Sequence, residues 1–491
     1  MRYLIRNGSI IDPARRIATV GDVLVTDGLV ERVIDLTEMN TETEPIEGEV
    51  EVINARGAVV APGFTDLHCH LREPGEEHRE TLATGTAAAA AGGFTTICAM
   101  PTTDPCLDTA AVARQIQALA QYESPIRVDL IGALTRKRAG QTLADLAELA
   151  ECGCIAFSEG GRTLGDANLM RNALAYAAAL GLPVMVQCED PALAAGAVMH
   201  EGVVSTRLGL PGVPAAAEET IIARELALAE LTGARLHLCQ VSTAGSVALI
   251  RAAKARGMQL TAEVSPHHLT LTDQWVMGSL NPPREKAPTR LSRRSRRNPH
   301  PELGLPSWLD PRLLPPYDPS TRMRPPLRTQ DDVEAVVEGL RDGTLDVIAS
   351  GHTPLALVDT RCEYGYAVPG ISSLETALAL VLTLVHRGEL DLVDMVAKLT
   401  EGPAQVLGRS PATLHPGARA DLVIFDPDRY WNVTPETFVS RGHNTPLAGQ
   451  RLKGQVMLTM AGGKIVFRRD NFGQSGQAQP APSRLDGILE N

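Results

Sequence analysis

Long apolar runs, paired cysteines and an excess of positive charge are all missing from this 491-residue sequence. No stretch of about 18 uncharged apolar residues occurs, so a membrane-spanning helix is not expected, and the N-terminus lacks the apolar run of a signal peptide. The eight cysteines are scattered without a C-x-x-C pair, which suits a reducing cytosol. A net charge of -12 argues against general nucleic-acid binding. We therefore expect a cytoplasmic protein that binds neither membranes nor nucleic acid.

The middle of the chain alternates short β-rich runs with longer alanine-rich helical patterns. Glycines follow several of the helical runs, Gly92, Gly181 and Gly257 among them, as left-handed helix ends require. Eight strand-then-helix units predict an α/β fold of the (β/α)₈ TIM-barrel class, because doubly wound open sheets rarely need eight. The predicted strands cover residues 58–64, 94–100, 127–134, 154–158, 183–188, 235–241, 259–264 and 346–350.

We assign the barrel to residues 58–411. The two ends of the chain have a different sequence pattern. Residues 1–57 and 412–468 hold short strands with turn signals such as Asn7-Gly8 and Gly462-Gly463, and no long helix. We expect the two segments to pair into one small composite β-domain; two separate decorations are the alternative. Residues 469–491 are polar and are expected to be disordered.

A basic segment at 284–328 interrupts the barrel pattern. It holds 11 lysines and arginines against 4 acidic residues, a charge of +7 that leaves -19 for the rest of the chain. Such a proline- and arginine-rich run is expected to be a solvated loop inserted after the seventh strand. Binding of an acidic protein surface or a nucleic acid is the alternative role.

The most informative motif is His68-Cys69-His70-Leu71-Arg72. Histidines at i and i+2 of a strand point to the same side, so both imidazoles can reach one metal ion. The nearby arginine offers a donor fork for a carboxylate. Chemistry in TIM barrels sits where the strands end, and the motif therefore predicts a metal site beside an anion-binding site.

Further motifs accompany it, and together they resemble dihydroorotase of the metal-dependent amidohydrolase superfamily. That family interconverts carbamoyl-aspartate and dihydroorotate in pyrimidine synthesis, in a barrel with a composite β-domain. Its members hold one or two zinc ions, and zinc-bound hydroxide attacks the ring amide. The matching segments are 62–75, Gly92-Gly93-Phe94-Thr95-Thr96, Met199-His200-Glu201-Gly202, Val241-Ser242-Thr243, Glu263-Val264-Ser265-Pro266-His267-His268 and Asn444-Thr445-Pro446.

The resemblance also exposes losses at the expected metal ligands. His68 and His70 match, but the bridging acidic pair after strand four is Glu159-Gly160, with only the first residue acidic. Gln187 and Gln240 replace the histidines that end strands five and six, and Gly351 replaces the aspartate that binds metal and shuttles the proton. Around the substrate, Arg72 matches, whereas Thr102 and Arg324 stand where asparagines are expected and Leu355 where a histidine is.

A neutral glutamine is a poor substitute for imidazole, so we expect a zinc site that is weak or absent. His68, His70 and Glu159 are the remaining candidate ligands. His237, His267 and His268 are expected to be structural. Strand alternation is expected to point Cys188 and Cys239 away from the pocket.

Two functions remain open at this point. The first is a non-catalytic member of the family that acts as a structural or regulatory partner, which the resemblance assigns to aspartate carbamoyltransferase. The second is an active zinc-dependent dihydroorotase, or another cyclic amidase, with a reduced metal site built from His68, His70 and Glu159. We expect an oligomer in either case.

Overall fold

The computed structural model describes residues 1–37, 48–280, 308–470 and 472–473. The chain begins with five strands that precede the barrel: β1 (Arg2–Asp12), β2 (Ile17–Thr26), β3 (Leu29–Asp35), β4 (Glu51–Asn54) and β5 (Val59–Pro62). β2 and β3 follow β1 as antiparallel neighbours, whereas β4 and β5 pair with β1 in parallel. Alternating apolar residues of these strands, such as Ile5, Val23 and Val25, are fully buried.

Eight parallel strands then form the barrel, each hydrogen-bonded to its sequence neighbour. A parallel bridge between Cys69 and His352 joins the last strand to the first, and the His70 amide donates to the His352 carbonyl at 3.0 Å. The predicted TIM barrel is confirmed. Its strands are β6 (Phe64–Cys69), β7 (Phe94–Ala99), β8 (Arg127–Ala133), β9 (Cys154–Ser158), β10 (Val184–Gln187), β13 (Leu236–Cys239), β14 (Leu260–Val264) and β15 (Val347–Ile348); β11 (Met199–His200) and β12 (Gly212–Val213) form a separate pair.

The helices follow the strands around the barrel, and polar caps set several of their starts. Thr81, Asp166, Thr243 and Thr329 each accept a backbone N–H of the first turn. The helices are α1 (Leu82–Ala91), α2 (Ala110–Glu123), α3 (Leu146–Glu151), α4 (Ala167–Ala179), α5 (Val203–Leu208), α6 (Ala216–Thr232), α7 (Ala244–Ala255), α8 (Gln274–Met277), α9 (Gln330–Arg341), α10 (Leu357–Thr360), α11 (Ala377–Arg387) and α12 (Leu392–Leu407). Within the described ranges, no helix is both long and apolar enough to cross a membrane.

Three C-terminal strands complete the sheet of the N-terminal strands: β16 (Leu422–Asn432), β17 (Arg451–Ala461) and β18 (Lys464–Arg468). β16 pairs antiparallel with β5, so the two ends of the chain form one eight-stranded sheet. The expected composite β-domain is present. The exact domain boundaries drawn from the sequence stay predictions.

One predicted strand is divided differently in the structure. The sequence gives a single strand over 58–64 as the start of the barrel, but Val59–Pro62 belongs to the composite sheet and the barrel begins at Phe64. Gly63 separates the two, and a side chain there would collide with Thr95. A continuous apolar run therefore hides a change of sheet, because both strands are buried.

The basic segment at 284–328 is also corrected in part. Residues 284–307 lie outside the described residues, but 308–328 is not a solvated loop. Leu309, Leu314 and Leu327 lie among the prolines and arginines of this segment, and they pack with Trp275 in one buried cluster. Of the predicted disordered tail, Phe472 packs against the composite sheet, and residues 471 and 474–491 lie outside the described residues.

Candidate functional site

His68, at the end of β6, is held by a buried chain of hydrogen bonds. Its Nδ1 lies 2.7 Å from Glu263 Oε1, and Glu263 Oε2 lies 3.0 Å from His237 Nε2. His237 Nδ1 in turn contacts the Thr261 hydroxyl at 2.8 Å. Burial acts to raise the pKa of Glu263, but the two histidines outweigh it and lower that pKa to about 2.

The ionised Glu263 also decides which nitrogen of His68 is available. An Nδ1–H that donates to the carboxylate fixes the orientation of the ring and leaves Nε2 as its free nitrogen, as carboxylates that hydrogen-bond to metal-ligating histidines do. Among the described residues, His68 Nε2 is buried and has no hydrogen-bond partner. The strand-one histidine is therefore oriented as a ligand.

His70 and Arg72 lie beside it, each with its own contacts. His70 Nδ1 lies 2.6 Å from the Thr102 hydroxyl, and burial together with the positive charge of Arg72 holds the pKa of His70 well below its ordinary value. Arg72 donates to Glu76 Oε2 at 3.0 Å, and its buried Nε has no partner among the described residues. Thr102 and Arg72, the predicted substrate contacts, thus border the histidine pair.

Glu159 turns away from a shared ligand position. Its Oε1 accepts the Thr135 backbone N–H at 2.6 Å, and burial raises its pKa. The next residue, Gly160, has a φ of +53°, and a Cβ built there would lie 2.8 Å from Thr102 Cγ2. The methyl group of Thr102 therefore occupies the space that a side chain at position 160 needs.

A second pair of substitutions is fitted together in the same way. Gly351 has a φ of +63°, and a Cβ at this position would lie 2.6 Å from Gln240 Nε2 and 3.3 Å from His267 Cε1. The amide of Gln240 thus occupies the space that a side chain at position 351 would need. Gln187 is also engaged, since its Nε2 donates to the Arg324 carbonyl at 3.0 Å.

The other predicted structural histidines are placed by these contacts. His268 Nδ1 lies 2.6 Å from the Ser265 hydroxyl and Nε2 lies 3.1 Å from the Pro325 carbonyl, so both nitrogens are engaged. His267 Nδ1 is buried and has no partner within the described ranges.

Comparison with known proteins identifies the family once this geometry is known. Residues 57–246 match the family model described as dihydro-orotase-like. Dihydroorotase of Pelotomaculum thermopropionicum is 45% identical over 469 residues, covering 95% of this chain and 99% of the relative. Dihydroorotase of Syntrophus aciditrophicus is 40% identical, covering 96% of this chain and all of that relative. The chain belongs to the dihydroorotase family.

Two solved hydantoinase structures share the fold of this dihydroorotase-family chain. L-hydantoinase (dihydropyrimidinase) from Arthrobacter aurescens superposes with a TM-score of 0.77 at 24% identity, covering 96% of each chain. A D-hydantoinase from a Thermus species superposes with a TM-score of 0.73 at 24% identity. At this identity the likeness establishes the barrel and its β-domain.

The residues predicted to hold a metal, His68, His70 and Glu159, do not form a three-ligand zinc site among the described residues. Among the described residues, the only three histidine, cysteine or acidic side chains whose donor atoms all lie within 4.8 Å of one another are His68, Cys239 and Glu263. His68, His70 and Glu159 form no such group. Gln187 offers only an amide, and Gly351 offers no donor.

The cluster around Cys239 corrects one prediction. Strand alternation was expected to point this thiol away from the pocket, yet Cys239 faces the barrel interior together with Leu67 and Met185. The strand ends at Cys239, two residues before its predicted end at 241, and the next residue, Gln240, has a φ of +51° that leaves the regular alternation. Glu263 already accepts from His68 and His237, so the cluster is a hydrogen-bonded support rather than an open metal site.

Sequence reasoning gave Glu263 no role, although it quoted the motif that contains it. A carboxylate inside a buried strand needs a partner, and that signal was available. Arg328 was also given no role from the sequence, although a buried charge needs partners. It is 2% exposed and contacts His200 Nδ1, the Ser242 hydroxyl and Glu218. Arg328 thus connects the end of the 284–328 segment to the ends of the strands.

Proposed function

We propose that this chain is a dihydroorotase-family protein of pyrimidine biosynthesis, located in the cytoplasm, whose own barrel is catalytically impaired or inactive. The observation that carries the proposal is the position of Gln240. Its amide occupies the space of a side chain at Gly351, where the family's proton-shuttling aspartate is expected. Loss of a general acid/base alone lowers a rate by roughly 10²- to 10⁴-fold.

The second pair of substitutions supports the same proposal. The methyl of Thr102 fills the space beside Gly160, where the family pattern places a bridging carboxylate. One carboxylate oxygen of Glu159 accepts the Thr135 backbone N–H instead. Both missing donors are therefore replaced by packed neighbours, so a single rotamer change does not rebuild the metal site.

The role that we propose for the impaired barrel is that of a structural or regulatory partner of aspartate carbamoyltransferase. The resemblance supplies this partner, and a barrel fold persists without its active site because different residues carry stability and chemistry. The assembly would be an oligomer of both chains. Catalysis would then reside in another dihydroorotase encoded by the same genome.

The test of impairment is a metal and activity measurement on the purified protein. Bound zinc would be quantified, and both directions between carbamoyl-aspartate and dihydroorotate would be assayed with added zinc. We expect substoichiometric metal and no turnover above background. Stoichiometric zinc with turnover of about 1 s⁻¹ or more would refute impairment and favour the active enzyme with a reduced site.

The partner role needs its own experiment. The chain would be co-expressed with the carbamoyltransferase of the same genome and analysed by size-exclusion chromatography with light scattering. We expect a complex that survives His68→Ala, because the interface does not require the metal site. Separate elution of the two proteins at micromolar concentration would remove the proposed partner while leaving the impairment proposal intact.

A further inference from the structure

A cavity of about 380 Å³ lies beside the loop that follows the last barrel strand. Its walls include Leu355 and Thr360 from that loop, His78 from the loop after β6, and Arg441 and His443 from the segment before the family motif Asn444-Thr445-Pro446. This volume is within the range of small-molecule sites. The residues Gln240 and Gly351 do not line it, so it is distinct from the altered metal position.

Three donor side chains face this cavity without a partner. His78, Arg441 and His443 are exposed, and within the described ranges none of their side chains makes a hydrogen bond or ion pair. Arg441 offers a planar fork of N–H donors, and each imidazole donates from at least one nitrogen. The one carboxylate on the wall, Asp318, is turned into its own loop, where it accepts the Ser320 N–H at 2.8 Å.

The segment that carries Arg441 and His443 is held in place by two carboxylates, the buried Glu80 and the half-buried Glu375. Glu80 Oε1 accepts the Arg441 backbone N–H at 3.1 Å, and Glu375 Oε1 accepts the Val439 N–H at 2.8 Å. Gly442 is buried between them, where any side chain would collide with Ser372 and Pro354. The two donors are therefore presented from a fixed backbone, which lowers the entropy cost of binding.

We propose that this cavity binds a small dianion, such as a dicarboxylate or a phosphate, through Arg441 and His443, with His78 as a third donor on its wall. The planar guanidinium of Arg441 binds both carboxylates and phosphates well. The side chain of Leu355, on the wall of the cavity, offers no hydrogen-bond donor. The site goes beyond the proposed partner role and does not depend on it, since Arg441, His443 and His78 are not among the altered positions, although Leu355 on its wall is one. It gives the chain a ligand to which it can respond without hydrolysing it.

Isothermal titration calorimetry of the full chain tests the site, with succinate and inorganic phosphate as separate probes at constant ionic strength. The variants are Arg441→Gln and His443→Gln, each of which removes one donor at similar size. Arg114→Gln is the matched control, because Arg114 is an exposed arginine on α2 that does not line the cavity. Thermal melting confirms that all the variants are folded.

We expect saturable binding of at least one probe, an affinity reduced about tenfold or more by each cavity variant, and no change in Arg114→Gln. Tenfold corresponds to about 1.4 kcal/mol, within the range of one charge-assisted hydrogen bond. The difference between the two probes identifies the oxyanion. Absence of saturable binding up to about 10 mM of either probe, or equal weakening in all three variants, overturns the proposal.

Discussion

Replacing Gly351 by alanine is the sharpest test of whether the altered site is packed or merely vacated. The new Cβ would lie 2.6 Å from Gln240 Nε2, closer than real Cβ contacts allow, and the backbone is at a φ of +63°. A left-handed backbone costs a non-glycine residue about 1–2 kcal/mol. The atom that the new Cβ meets is the end of the flexible Gln240 side chain, so moving that amide off its rotamer adds about 0.5–1.5 kcal/mol. We therefore expect Gly351→Ala to lower the free energy of unfolding by about 1.5–3.5 kcal/mol.

A second glycine separates the two contributions to this loss. Gly233 has a φ of +67°, and nothing lies within 4 Å of a Cβ built there. Gly233→Ala therefore includes the backbone cost without the collision, so it should lower stability by about 1–2 kcal/mol only. The excess of Gly351→Ala over this control measures the collision with Gln240.

Gln240→Ala completes a double-mutant cycle, measured by urea unfolding with tryptophan fluorescence as the signal. In the Gln240→Ala background, Gly351→Ala should cost what Gly233→Ala costs, to within about 0.5 kcal/mol. The coupling energy between positions 240 and 351 should then be about 0.5–1.5 kcal/mol. If Gly351→Ala matches the control in both backgrounds, Gln240 does not fill the space at 351 and the packing argument fails.

Three other predictions follow from the same structure. Gly160→Ala should destabilise by about 2–5 kcal/mol, of which about 1–2 kcal/mol is the cost of its φ of +53° and the rest the collision with Thr102 Cγ2; Thr102→Ser, which removes that methyl, should recover only the collision part in urea unfolding. Arg328→Met should cost about 3–5 kcal/mol by leaving the buried Glu218 without its cation; an unchanged urea midpoint would show that the pair is dispensable. Burial lowers the pKa of His268 to about 4, below its ordinary value near 6.5. The unfolded chain therefore binds the extra proton, and about 3 kcal/mol of stability present above pH 6.5 should be lost as the pH falls towards 4. A His268→Gln variant should show a flatter pH profile over that window.

The sequence was a good guide to the barrel because its signals are local. Seven of the eight predicted barrel strands overlap the observed ones, since each buried run is bounded by a helix and a glycine or cap. The exception is the first strand, where Val59–Pro62 and Phe64–Cys69 are both buried and adjoin at Gly63. Two sheets meeting in one apolar run leave no periodic signal at the junction.

The site was predicted less completely because its contacts are distant in sequence. His68 and His70 could be placed together from their spacing, but the carboxylate that orients His68 comes from Glu263, 195 residues further along the chain. The orientation of Cys239 was mistaken for a related reason. Its neighbour Gln240 adopts a positive φ, which depends on the packing around Gly351 and which residue type does not reveal.

The remaining unpaired imidazoles show how the site changed. His68 Nε2 and His267 Nδ1 are buried and unpartnered within the described ranges, and each such group costs about 1–3 kcal/mol. His68 cannot turn its ring to find another partner without breaking its 2.7 Å contact to Glu263. Glu263 therefore still holds the His68 ring in one orientation, while Thr102 and Gln240 lie where side chains at positions 160 and 351 would be. If the proposed impairment is correct, adding the missing donors at 160 and 351 restores metal binding only when Thr102 and Gln240 are made smaller as well.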